Sequence, residues 1–123
     1  IIMANIDFYE MFNAKFLEFI ADLKTSFPHI PEFEMYEGLT KTCIMLTKET
    51  PLNLFKTTVE GPFGDKIDNK DEGFIMNYDF TETDQTIVKM LKMIWQELDP
   101  KNKESVWSHV KLLLAISRKL PQM

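Results

Sequence analysis

The sequence predicts an all-α protein: a single-domain helical bundle with a long N-terminal helix, short central helices and a C-terminal antiparallel helical hairpin. Three observations carry this reading. Phe8, Phe12, Phe16, Phe19, Leu23 and Phe27 recur at steps of three and four, which stacks them on one helical face for about six turns. Two further amphipathic stretches, each carrying one tryptophan, flank Asp99-Pro100. Glycine occurs only four times in 123 residues, too rarely for the turns of an all-β chain.

Each element has its own start and stop signals. Asn5 or Asp7 can cap the first helix, because a side-chain oxygen there accepts from the free N–H groups of the first turn, and Pro28 ends it. Its stripe is predicted to be core, with Phe12, Phe16 and Phe19 as anchors. Pro31 suits the first turn of a second helix, with Glu32 and Glu34 at its positive end. Phe33, Tyr36, Leu39, Cys43 and Leu46 read as its apolar face. Gly38 inside it costs about 1 kcal/mol relative to alanine, which predicts either a close helix approach or a break.

Thr50-Pro51 reads as a cap followed by proline, opening a short helix with Leu52, Phe55 and Val59. Gly61-Pro62-Phe63-Gly64 is the strongest breaker signal in the chain. Beyond it, a helical turn around 63–67 and another over 70–77, capped by Asp68 or Asn69, lead to Tyr78 and Phe80.

The hairpin closes the chain. Ile87, Leu91, Ile94 and Leu98 form the core face of its first helix, widened by Val88 and Trp95, with Thr83 or Asp84 as cap. Asp99 then caps the second helix and Pro100 takes its first position. Val106, Val110, Leu113 and Ser117 make one row, flanked by Trp107, Leu114 and Ile116. So short a connection predicts antiparallel neighbours, with Trp95 and Trp107 as core anchors.

Composition bounds the rest. An apolar fraction of 45% with ten phenylalanines excludes a disordered chain. One domain spans residues 1–123, with 1–4 a flexible terminus in which Ile1 and Ile2 precede a start-like Met3. The single cysteine, Cys43, excludes an internal disulfide and any multi-cysteine zinc site, and points to an intracellular setting. No apolar run reaches membrane-spanning length, so no membrane partner is expected.

The net charge of −5 is uneven: residues 1–88 carry 7 Lys/Arg against 16 Asp/Glu, and residues 89–123 carry 7 against 3. A basic C-terminal part either docks against the acidic remainder or offers a face to an acidic partner.

No chemistry stands out. An EF-hand loop started at Asp68 places Glu72 fifth, Gly73 sixth, Ile75 eighth and Asp79 twelfth, but puts Lys70 where the third ligand oxygen belongs. Calcium at Asp68, Glu72 and Asp79 is thus a weak alternative to helix capping. His29 and His109 have no metal-ligand spacing, Cys43 has no partner in sequence, and no glycine-rich phosphate loop is present. No cofactor is therefore expected. Nucleic acid is the competing partner, through Lys89, Lys92, Lys103, Lys111, Arg118 and Lys119 of the hairpin. A pI near 5.0 and a single arginine argue against it.

The pattern Phe8-Tyr9, Phe12-Asn13, Phe16, Phe19, Leu23 and Phe27-Pro28 is joined by two further groups of motifs. One is Asn69-Lys70-Asp71-Glu72 with Phe74. The other runs from Ile87-Val88 through Leu91-Lys92, Ile94-Trp95, Leu98-Asp99 and Lys103-Glu104 to Trp107. Together they resemble a family of small uncharacterised helical proteins of large DNA viruses infecting algae and protists. The resemblance implies a viral origin and a place in the host cytoplasm, nucleus or virion; it carries over no activity and no site residue. The expected function is that of a non-enzymatic helical interaction or structural protein. It would work through contacts with a host or viral protein, or with further copies of itself.

Overall fold

The computed structural model describes residues 6–80 and 85–121. Among them every regular element is helical and no strand occurs: α1 (Phe8–Ser26), α2 (Glu32–Leu46), α3 (Thr50–Phe55), a π-helical turn (Lys56–Glu60), α4 (Gly61–Asp68), α5 (Glu72–Asn77), α6 (Gln85–Glu97) and α7 (Pro100–Ser117). The cap candidates Asn5, Thr83 and Asp84, and the terminal residues 1–4, lie outside the described residues.

Asp7 supplies the start of α1. Its Oδ1 accepts from the backbone N–H of Tyr9 and Glu10 at 3.0 and 3.2 Å, and its Oδ2 accepts from Lys48 Nζ at 2.6 Å. The lysine hydrogen bond, then the backbone donors, hold this carboxyl below the usual range. The phenylalanine stripe turns inward as expected. Phe12 is fully buried, 5.3 Å from the Phe55 ring and edge-on to Phe16, while Phe16 and Phe19 are half-buried around it.

Two cores meet along α7. Phe12, Leu52, Leu113 and Ile116 form the first, with Phe8, Tyr9, Phe16 and Phe19 packed on it. Phe63, Ile67, Trp107 and Leu114 form the second, with Val59, Ile75, Phe80 and Trp95. Phe55 touches both. The closest helix pairings are α1 with α7 and α1 with α2. Asp99 caps α7 as predicted, its Oδ1 accepting from Asn102 N at 2.8 Å, and Trp95 meets Trp107 edge to face at 5.4 Å.

The structure overturns several local expectations. Thr50 does not cap α3; it is the first helical residue, and no side chain caps that end. The Gly61-Pro62-Phe63-Gly64 signal breaks nothing. The helical run continues from Thr50 to Asp68 because the chain widens just before Pro62. Gly61 N–H bonds back to Lys56 O, five residues earlier. A proline ring ordinarily strikes the carbonyl four residues back, and a π-turn removes that carbonyl from its path. The hydroxyls of Thr57 and Thr58 donate to the carbonyls of Asn53 and Leu54 beside the turn.

Asp71, not Asp68 or Asn69, caps α5, with Oδ1 accepting from Phe74 N at 3.1 Å; Lys70 takes the left-handed conformation that separates the two helices.

Gly38 neither breaks α2 nor lies against another helix: the space its Cβ would occupy is open. Of the face predicted for α2, Phe33 is buried and Tyr36 and Cys43 are half-buried, but Leu39 and Leu46 are exposed. The inward face is Phe33, Tyr36, Glu37, Thr40 and Ile44. Glu37 there accepts from Lys24 Nζ of α1 at 2.9 Å. Leu91 of α6 is likewise exposed, Val88 and Ile94 are buried, and the Ile87 side chain lies outside what the structure describes.

Candidate functional site

Between the second core and α6 the structure leaves a trough of about 960 Å³. The π-turn and α4 supply one wall, with Val59, Pro62, Phe63 and Ile67. Ile75 and Met76 of α5, then Tyr78 and Phe80, supply the next. Val88, Leu91 and Trp95 of α6 and Val106, Trp107 and Val110 of α7 complete its lining. Its aromatic side is dense: Phe63 lies 4.7 Å from Tyr78 and 5.8 Å from Phe80, both ring centroid to ring centroid. Tyr78 and Leu91 are exposed at the mouth.

Few polar groups reach this space, and most are engaged. Glu72 Oε1 accepts from Trp95 Nε1 at 2.6 Å and from Lys103 Nζ at 3.0 Å. These two bonds, the tryptophan's first, hold its carboxyl below the usual range. A carboxylate so fixed stays ionised near neutral pH and cannot lend a proton. Lys92 lies 5.5 Å from the centre of the Phe80 ring. Asp79 is exposed. The walls thus offer apolar contact with a few fixed charges, which suits holding an apolar body better than activating water.

The sites expected from sequence are dispersed. Asp68 pairs with Arg118 through two hydrogen bonds of 3.0 and 2.8 Å, and Glu72 opens helix α5 where a calcium loop would need extended chain. Among the described residues no three acidic, histidine or cysteine groups stand close enough to hold a metal ion. The calcium alternative at Asp68, Glu72 and Asp79 therefore fails on geometry.

The basic residues of α6 and α7 divide. Lys103 and Arg118 pair with Glu72 and Asp68 of the acidic part, as in the docking alternative, and Lys92 covers Phe80. Lys89 and Lys119 are exposed, and Lys111 is half-buried, near enough to Asp68 to act on its carboxyl. Trp95 and Trp107 anchor the core and also line the trough. His109 stacks on Phe19 and bonds Asp22 Oδ2 at 2.8 Å. Cys43 is a free, half-buried thiol.

Sequence reasoning missed two features. The trough is assembled from the π-turn, α4, α5, α6 and α7 with the segment 78–80, and the local hint was the aromatic density of 61–80. The second is Lys56, 5% exposed. Its Nζ donates to Ser117 O at 2.7 Å and to Glu60 Oε1 at 3.1 Å, while Ser117 Oγ donates to the same carboxylate at 2.7 Å. The lysine thereby satisfies a carbonyl at the end of α7, where a cation is favoured.

Among the described residues no helix is long and apolar enough to cross a membrane. Comparisons of the chain with protein-family models, with curated proteins and with solved structures found no match.

Proposed function

We propose that this chain is a non-enzymatic interaction protein that works through protein–protein contacts, and that the trough receives an apolar helical segment of its partner. One observation carries the reading: a trough of about 960 Å³ walled by aliphatic and aromatic side chains opens onto exposed Tyr78 and Leu91. An amphipathic helix lays its apolar face into a groove of this kind, with anchors at three- and four-residue spacing. The aromatic walls fit the residues that dominate binding energy at protein interfaces. The setting proposed for it, expression by a large DNA virus inside a host cell, rests on the sequence resemblance.

The nucleic-acid alternative is less well supported. Of its six cations, Lys103 and Arg118 are paired with carboxylates and Lys92 lies over an aromatic ring. What remains is Lys89, Lys111 and Lys119, on a chain of net charge −5.

Photocrosslinking tests the reading. A photoreactive residue in place of Leu91 or Tyr78 is expected to yield an adduct with a defined protein in expressing cells. That adduct should be lost when Val110→Glu places a charge in the trough. An adduct with nucleic acid would favour the alternative. A small apolar molecule retained in native mass spectrometry would make the trough a ligand pocket instead.

A further inference from the structure

The outer face of α2 carries a second apolar stripe that no part of the described chain covers. Met35 is 53% exposed, Leu39 60%, Met45 86% and Leu46 81%. Met35, Leu39, Thr42 and Leu46 follow at steps of four, three and four, the spacing of one helical face. Thr42 presents its methyl group, because its hydroxyl already donates to Gly38 O at 3.1 Å. Gly38 lies beside this stripe and next to the midpoint of Glu32–Leu46, with open space where a side chain would stand. A small residue at the middle of an apolar helix face is where two helices can cross closely.

We propose that this face binds its own counterpart on a second copy of the chain, with the two α2 helices antiparallel about a two-fold axis beside Gly38. The charges choose this occupant and this orientation. Glu34 and Lys41, both exposed, are seven residues apart and so share one flank of the stripe. In an antiparallel pair the same flanks meet, and each Glu34 comes to Lys41 of the other copy. A parallel pair would instead set the acidic first turns, Glu32 and Glu34, against each other. A two-fold axis also makes the surface its own complement, so that one stripe supplies both sides. A membrane surface suits the face poorly, because an interfacial helix carries lysine and arginine on its flanks, whereas this stripe is flanked by Glu32 and Glu34 against Lys41. The proposal concerns a different face from the trough and stands independently of it.

Sedimentation equilibrium on the full chain, from micromolar to millimolar concentration, provides the test. The mass is expected to approach twice that of the monomer. Leu39→Glu should hold it at the monomer value with the helical circular dichroism unchanged. Glu34→Lys and Lys41→Glu should each weaken association roughly three- to tenfold, through two like-charged contacts per dimer. The double variant Glu34→Lys/Lys41→Glu should restore wild-type association, and added salt should relieve each single variant.

A monomer at every concentration would overturn the proposal and leave the stripe to a foreign helix. A dimer indifferent to Leu39→Glu would overturn it in favour of another face. A double variant no better than the singles would overturn the antiparallel arrangement.

Discussion

The end of the molecule around Phe12 and the end around Trp95 use the same kinds of side chain differently. At the first, Phe12 and Leu52 are fully enclosed by Leu113, Ile116 and the ring of Phe55. At the second, Phe63, Ile67 and Trp107 are buried as well, but they and their half-buried neighbours Ile75, Phe80 and Trp95 line the trough. One end closes on itself; the other closes around the trough. The polar contacts follow the same division. Lys56 and Ser117 are buried within the packed part, whereas Lys103–Glu72 and Arg118–Asp68 bridge partly exposed surface around the second core.

The sharpest way to test that contrast is to remove the same volume from both ends. Leu52→Ala is expected to lower unfolding free energy by about 2–5 kcal/mol, toward the top of that range because the site is fully enclosed. Urea denaturation followed by circular dichroism measures it. Lys56→Ala comes next: leaving the Ser117 carbonyl and the Glu60 carboxylate short of their donor should cost about 1–3 kcal/mol in the same assay. Ile75→Ala, on the trough wall, should cost only roughly 1 kcal/mol, since solvent already reaches that side chain. An Ile75→Ala loss equal to that of Leu52→Ala would show that the second end is as tightly closed as the first.

The smallest expected effect is pH dependence. Asp68 and Glu72 have folded-state pKa values lowered below 3.8 and 4.5, by Arg118 and by Trp95 with Lys103 respectively. A lowered pKa contributes stability above the unfolded value, and that contribution is lost as pH falls through the folded one. Acid should therefore loosen the contacts of α4 and α5 with α6 and α7. Tryptophan emission, which reports Trp95 beside Glu72, is expected to change at a higher pH than the far-ultraviolet helix signal. Glu72→Gln should bring the two transitions together; coincident transitions in the wild-type chain would erase the distinction between the ends.

What could be read from the sequence was local. Asp7, Asp99-Pro100 and the Phe12 stripe act through neighbours within a turn or two, and each does what its spacing implies. What could not be read depended on distant parts of the chain. Met35, Leu39 and Leu46 have the chemistry of core residues, and nothing in α2 tells which of its two apolar faces α1 covers. Lysine reads as a surface residue, and Lys56 is buried by a carbonyl 61 positions away. The trough has no sequence signature because residues as distant in the chain as Val59 and Val110 share its lining.

The π-turn before Pro62 has a consequence for how substitutions along Thr50–Asp68 are interpreted. Counted straight through, Leu52, Phe55, Val59, Phe63 and Ile67 fall on a single stripe. A turn closed five residues back takes in one residue more than an α-turn, which sets everything after it back by about 100° of rotation. Along the run Leu52 serves the first core, Phe55 touches both, and Val59, Phe63 and Ile67 serve the second. The run has two phases, and a position beyond Gly61 belongs to a frame one residue out of step with a position before Lys56.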